Sequence, residues 1–126
     1  MKTCAFEWIE KAEADFTSAQ REYRARKSPN FDAACFFSQQ CIEKYLKAVL
    51  VEHSADFTKT HDLEVLLDLA LPWHPLWEAF RPAISELTSF AVAFRYPGES
   101  ATRDIARTAL NNASRVRGQI RTDLHL

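Results

Sequence analysis

Hydrophobic residues recur at helical spacing in several long stretches of the 126-residue chain. One apolar stripe runs through the first stretch, from Ala5 to Lys27, and another runs from about Ser100 to Thr122. Apolar positions separated by three and four residues define one face of an α-helix. The pattern therefore predicts an amphipathic helix near each end of the chain.

The stretch from Phe31 to His53 has a different pattern, because apolar side chains cover about half of its helical circumference. A narrower polar face carries Gln40, Glu43, Lys44 and Lys47, with Phe36 among them. A helix with so wide an apolar arc contacts several neighbours at once. We therefore predict that this helix lies at the centre of the fold.

Proline and glycine divide the remaining sequence into shorter elements. Thr60 is the predicted N-cap of a third helix that continues to Leu71. Breaks at the following prolines predict a short turn near Leu76–Phe80, then a helix from Ala83 to about Phe94. The sum is a single all-α domain over residues 1–126, an up-and-down antiparallel four-helix bundle with an extra short helix.

Composition excludes several classes of protein. The net charge is -1, so overall charge does not indicate a nucleic-acid partner, and any such role must rest on local charge. The three cysteines have neither CxxC spacing nor a neighbouring histidine at ligand spacing, which favours a reduced cytoplasmic protein without a metal site. No apolar run approaches the roughly 20 residues of a membrane span.

The segment between Phe31 and Leu67 carries motifs that resemble the HEPN family of small helical domains. These are Gln39-Gln40, Glu43-Lys44, Leu46-Lys47-Ala48 and Thr60-His61-Asp62-Leu63. Further support comes from the opening helix with Trp8 and Asp15, from Phe94-Arg95-Tyr96-Pro97, and from the closing amphipathic helix. The resemblance covers nearly the whole chain and combines several motifs, none of which is specific alone.

The resemblance implies a homodimeric protein that acts beside a minimal nucleotidyltransferase, in a toxin–antitoxin-like or nucleotide-binding module. No cofactor is expected. Ribonuclease members of the family use an arginine followed four to six residues later by a histidine. After Arg95 the matching positions hold Ser100, Ala101 and Thr102. The resemblance therefore favours a non-catalytic protein that binds a nucleotide or RNA. An RNA-cleaving toxin with a divergent site around Arg95 and His61, and a plain homodimeric interaction module, remain as alternatives.

Three groups of polar residues are candidates for contacts with a ligand or partner. Gln40, Lys44 and Lys47 share one side of the second helix. His61 opens the third helix, and Arg95 with Tyr96 follows the fourth. Each group also has a structural interpretation, as a solvated face, a packing or capping residue, or a cation at a helix C-terminus. Exposed Phe36 on the polar face instead indicates a dimer contact.

A fourth group lies on the last helix, where four arginines fall within about 80° of one another. These are Arg103, Arg107, Arg117 and Arg121. Guanidinium groups suit bidentate contacts with phosphates. The stripe therefore indicates either binding of phosphates or an acidic partner, or ion pairs with the carboxylates of the first helix.

Overall fold

The computed structural model describes all 126 residues and is entirely helical, as predicted. Its elements, in chain order, are α1 (Thr3–Arg24), α2 (Phe31–Glu52), α3 (Leu63–Ala70), a 3-10 helix (Pro75–Phe80), α4 (Arg81–Ala93) and α5 (Arg103–Asp123). None of the helices combines the length and the apolar character that crossing a bilayer requires.

The prediction that the second helix is central is confirmed, because α2 packs against α1, α3, α4 and α5. Its side chains Ile42, Tyr45, Leu46 and Leu50 have no solvent exposure and lie in one continuous core. Each of the other helices turns its apolar stripe toward this core, so burial of those stripes accounts for the arrangement of the bundle.

Side-chain caps set where α2, α3 and α5 begin. The Asn30 and Thr102 side chains accept hydrogen bonds from the main-chain N–H groups of Ala33 and Ile105. The predicted start of the third helix at Thr60 is wrong, because the cap is Asp62, whose carboxylate accepts from Glu64 N at 3.0 Å. Thr60 Oγ1 instead accepts from Asp62 N at 3.1 Å, which forms a turn before the helix.

The fourth helix begins two residues earlier than predicted, at Arg81. Pro82 occupies its first turn, where a missing N–H breaks no helical hydrogen bond. The 3-10 helix therefore runs directly into α4. The Arg81 guanidinium binds carboxylates of Glu78, Glu64 and Asp68, which ties the start of α4 to α3.

Contacts between distant residues fix the two ends of the bundle. At one end, Lys2 N donates to Glu52 Oε1 at 2.8 Å, which joins the start of α1 to the end of α2. At the other end, Asp32 Oδ1 accepts from Ala101 N at 2.6 Å, just before α5. The first turns of α2 and α5 therefore meet beside the last turns of α1 and α4.

Candidate functional site

The end of the bundle where α1 and α4 finish is rich in cations. We call it the basic end and define it as residues 21–32 and 95–107. It contains seven Arg and Lys residues and four Asp and Glu residues, whereas the rest of the chain has nine against thirteen. The near-zero net charge therefore conceals two oppositely charged regions, and only the basic end has an excess of positive charge.

Arg95 and Tyr96 project from the turn that follows α4. Both residues are exposed, and 67% of the Tyr96 surface is accessible to solvent. No carboxylate forms an ion pair with Arg95, so its guanidinium is available to bind a ligand. Arg95 lines a groove with residues from the end of α4 and the start of α2.

Two of the four arginines of α5 lie at the same end. The Arg103 guanidinium lies 5.0 Å from the centre of the Phe31 ring. Arg107 donates to Tyr23 Oη at 2.9 Å and to Asp104 Oδ1 at 2.9 Å. The bond to the tyrosine hydroxyl raises the pKa of Arg107, so it remains a cation. Both arginines are exposed, and an aromatic residue holds each of them in place.

The other two arginines of the stripe bind a carboxylate of α1 instead. Arg117 makes a bidentate pair with Glu13, with both N···O distances at 2.6 Å. Arg121 Nη1 donates to Tyr45 Oη at 2.9 Å, and the tyrosine hydroxyl donates to Glu13 at 2.6 Å. The bond from Arg117 lowers the pKa of the Glu13 carboxyl, which is therefore ionised at neutral pH. The stripe thus divides into an exposed half and a half that joins α1 to α5.

Phe36 lies beside Arg95 in a groove between α2 and α4. The groove has a volume of about 390 Å³, and Phe37, Phe90 and Phe94 line its apolar part. Phe36 is 40% exposed and packs edge-on against Phe37, with ring centres 5.4 Å apart. An exposed aromatic side chain beside an apolar groove is typical of a contact surface.

The polar face of α2 is largely covered by other parts of the chain, although its spacing allowed a solvated face. Lys44 pairs with Asp15 of α1, and Gln40 Nε2 donates to Gln39 Oε1 at 2.8 Å. Lys47 is only 8% exposed, and its ammonium lies 5.5 Å from the centre of the Trp8 ring. These three candidate residues therefore contribute few free donors to the surface.

A buried carboxylate organises this face of α2. Glu43, which is 2% exposed, accepts hydrogen bonds from Gln39 Nε2 at 3.3 Å and from Lys47 Nζ at 3.1 Å. Its Oε1 also lies 2.9 Å from His61 Nδ1. Gln39 Nε2 donates in addition to the main-chain oxygen of His61 at 3.0 Å. The loop before α3 is therefore held onto α2 by both the backbone and the ring of His61.

Arg95 and His61 contact different parts of α2. Arg95 lines the groove with Phe36 and earlier residues of α2, whereas His61 binds Glu43. The seven residues from Phe36 to Glu43 correspond to about 10 Å along the helix axis. Within one chain the two residues therefore contact α2 about two helical turns apart.

The cations at the end of α1 were not among the residues singled out from the sequence. Arg24, Arg26 and Lys27 are exposed and lie next to the start of α2 at the basic end. The clustering of basic residues in the second half of α1 could have indicated this surface. The same clustering is also explained by the helix dipole, which favours cations near the C-terminus of a helix. No group of three or more His, Cys, Asp or Glu side chains has the geometry to hold a metal ion.

Comparison with known proteins agrees with this architecture. The chain matches the model of the HEPN domain over residues 5–122. It is similar to the crystal structure of TT1696 from Thermus thermophilus, with 25% identity, a TM-score of 0.82, and coverage of 96% of this chain and 98% of the other. It is also similar to ST0689, an archaeal HEPN homologue, with 25% identity, a TM-score of 0.71, and coverage of 95% and 99%. No curated protein sequence matches it at a significant level. Since the family model spans nearly the entire sequence, the chain belongs to the HEPN family.

Proposed function

We propose that this chain is a non-catalytic HEPN-domain protein that binds the phosphates of a nucleotide or RNA at its basic end. The observation that supports the proposal is the excess of exposed cations in residues 21–32 and 95–107, against a net charge of -1 for the whole chain. Guanidinium groups bind phosphate oxygens through paired N–H donors. Arg95, Arg103 and Arg107 are exposed at this end and provide such groups.

The non-catalytic part of the proposal rests on the missing proton-transfer group. Cleavage at a phosphodiester needs a residue that moves a proton within hydrogen-bond reach of the reacting oxygen. No histidine follows Arg95 at the required spacing, and His61 contacts α2 at a point about 10 Å farther along the helix axis. Arg95 therefore acts as a phosphate contact without an acid–base partner in the same chain.

The protein acts, in this proposal, as a homodimer beside a minimal nucleotidyltransferase in a toxin–antitoxin-like module. The groove that contains Phe36 is the proposed contact between the two copies, because a two-fold interface repeats one apolar patch on both subunits. Membership of the HEPN family supports the link to nucleotides and RNA. The nucleotidyltransferase is the finer part of the proposal and follows from the family resemblance alone.

Incubation with single-stranded RNA tests the proposal. Wild-type protein is expected to retain RNA in a gel-shift assay and to leave it uncut, with and without Mg²⁺. Arg95→Ala should weaken retention, because it removes an exposed cation at the basic end, whereas Arg115→Ala should not. Arg115 is the matched control, since it is exposed on α5 outside the basic end. RNA cleavage that disappears in Arg95→Ala would instead establish the RNA-cleaving alternative.

A co-purification experiment tests the protein partner. The chain is expressed together with a minimal nucleotidyltransferase encoded beside it, and the complex is recovered through a tag on the chain. Recovery of the nucleotidyltransferase with wild-type protein supports the module. Binding of neither RNA, nucleotide nor nucleotidyltransferase would leave only a homodimeric interaction module.

A further inference from the structure

An open pocket lies at the opposite end of the bundle, between the 3-10 helix and the C-terminus of α5. It has a volume of about 580 Å³, and its aromatic wall consists of Trp73, His74 and Trp77. Leu76 also lines the pocket and is 87% exposed, the highest value among the large hydrophobic side chains of the chain. Leu76 therefore places an accessible apolar side chain at the rim of the pocket.

The aromatic wall is rigid because its rings stack on one another. Trp73 lies parallel to His53 with ring centres 4.4 Å apart, and His74 lies parallel to Trp77 at 3.9 Å. The two imidazoles meet edge-on at 6.1 Å. Trp77 is 1% exposed, but Trp73 is 41% exposed, so part of its indole faces solvent. The pocket therefore presents one accessible indole on a preformed support.

The charge of the pocket is negative. Asp123 lines it, and no lysine or arginine does. Burial is the largest effect on His74 and lowers its pKa; the Asp123 carboxylate opposes this shift and the imidazole of His53 adds to it, so the neutral form is favoured at pH 7. The last carbonyl groups of α5 add partial negative charge at the same place. Asp123 accepts hydrogen bonds from Trp77 Nε1 and Gln119 Nε2 but forms no ion pair, and an aromatic face beside such a carboxylate is an environment that suits a guanidinium or ammonium group.

We propose that this pocket binds a basic side chain from a short segment of a partner protein, with an adjacent apolar residue of that segment on Leu76. The guanidinium or ammonium group lies against the exposed indole of Trp73 and faces the carboxylate of Asp123. Charge complementarity identifies the class of partner, because the Asp123 carboxylate lines the pocket and no lysine or arginine does. This surface is separate from the basic end, so one chain can contact an anion at one end and a basic protein segment at the other.

The experiment follows the indole N–H resonances of isotopically labelled protein while a capped Gly-Leu-Arg-Gly peptide is added. The expected result is saturable shifts of the Trp73 and Trp77 signals, with a dissociation constant below about 5 mM. The same peptide with citrulline in place of arginine keeps the shape and removes the charge, and it should bind at least about fivefold more weakly. A Gly-Leu-Glu-Gly peptide should produce no shifts.

Two variants locate the binding. Asp123→Asn keeps an acceptor for the Trp77 Nε1–H group, which now bonds Asp123 at 2.7 Å, removes the charge, and gives up only the exposed hydrogen bond from Gln119 Nε2. It should weaken binding of the arginine peptide by about fivefold without changing the melting temperature, and Leu76→Ser should weaken it too. Arg103→Gln, at the basic end, should have no effect. Equal binding of the arginine and citrulline peptides, shifts confined to other residues, or no shifts up to about 5 mM would each overturn the proposal.

Discussion

The buried carboxylate of Glu43 gives the most quantitative prediction. In the native protein it accepts hydrogen bonds from Gln39 and Lys47 and contacts the ring of His61. Its side chain is 3% exposed and that of Lys47 is 10% exposed. Glu43→Gln would leave the Lys47 ammonium buried without a counter-charge, while the overall shape of the site is kept.

The magnitude follows from the two opposing contributions. Removing one partner of a buried ion pair costs about 3–5 kcal/mol. The glutamine oxygen still accepts one hydrogen bond, which restores about 1 kcal/mol. We therefore expect the free energy of unfolding to fall by about 2–4 kcal/mol, a large part of a typical total of roughly 5–15 kcal/mol. At about 4 °C per kcal/mol for a domain of this size, the melting temperature should fall by roughly 8–16 °C.

Urea denaturation followed by circular dichroism measures the change. The slope of the free energy against urea should stay constant, which shows that the variant loses stability and not compactness. Glu10→Gln is the matched control, because Glu10 is exposed on α1, and its effect should stay within about 0.5 kcal/mol. The double variant Glu43→Gln with Lys47→Met removes both charges, so it should lose less than the sum of the single variants. A Glu43→Gln protein as stable as wild type would refute the account of this face as a buried ion pair.

Four further predictions follow from the structure. Ile42→Asp places an unpaired charge in the core and should abolish the helical signal in circular dichroism at 25 °C, and a cooperative melt would contradict the central position of α2. A thiol reagent at pH 8 should label only Cys4 of the three cysteines in the native chain, because burial raises the pKa of the two thiols in α2 and hides them; labelling of a second thiol before unfolding would be the opposite result. The hydrogen bond from Arg117 lowers the pKa of Glu13 below 4.5, so the ionised Glu13 carboxylate contributes its full stabilisation above about pH 4.5 and loses it as the pH falls through the lowered pKa. The difference in stability between wild type and Glu13→Gln should therefore shrink from pH 6 to pH 3. A constant difference would argue against the pair. Sedimentation should give twice the 14.5 kDa chain mass, and Phe36→Ser should shift it toward the monomer, whereas a wild-type monomer at micromolar concentration would exclude the proposed interface.

The helices could be predicted from the sequence because each has a clear apolar period and each break has a proline or a polar cap. The start of α3 was misplaced because Thr60 and Asp62 are both good cap residues. Local propensity does not decide between them. In the folded chain Gln39 also donates to the main-chain oxygen of His61 between these two residues, a contact across 22 positions that the local sequence does not show.

The environment of Lys47 could not be read from the periodicity of α2. A helical projection shows which residues share a face, but it does not show which other part of the chain covers that face. Here the loop before α3 and the Trp8 ring of α1 cover it, and Glu43 supplies the compensating charge. For the same reason the arginine stripe of α5 looked uniform in projection, although Glu13 binds only its second half.

The basic end could have been predicted by combining the charge pattern with the topology. In an antiparallel bundle, the C-terminus of α1 lies beside the N-terminus of α2, and the cations of both α1 and α5 then meet at one end. The net charge of -1 hides this, since the carboxylates concentrate elsewhere in the chain. Local charge counted by bundle end is more informative here than the total.

The salt dependence of binding to single-stranded RNA tests the central claim most directly. If the basic end binds phosphates, the logarithm of the association constant falls linearly with the logarithm of salt concentration, with a slope of about -0.7 per phosphate contact. Arg95→Gln combined with Arg103→Gln should reduce the steepness of this slope by about 1.4, whereas Arg115→Gln should leave it unchanged. Equal affinities and slopes for all three proteins would contradict the assignment of the basic end as the phosphate-binding surface.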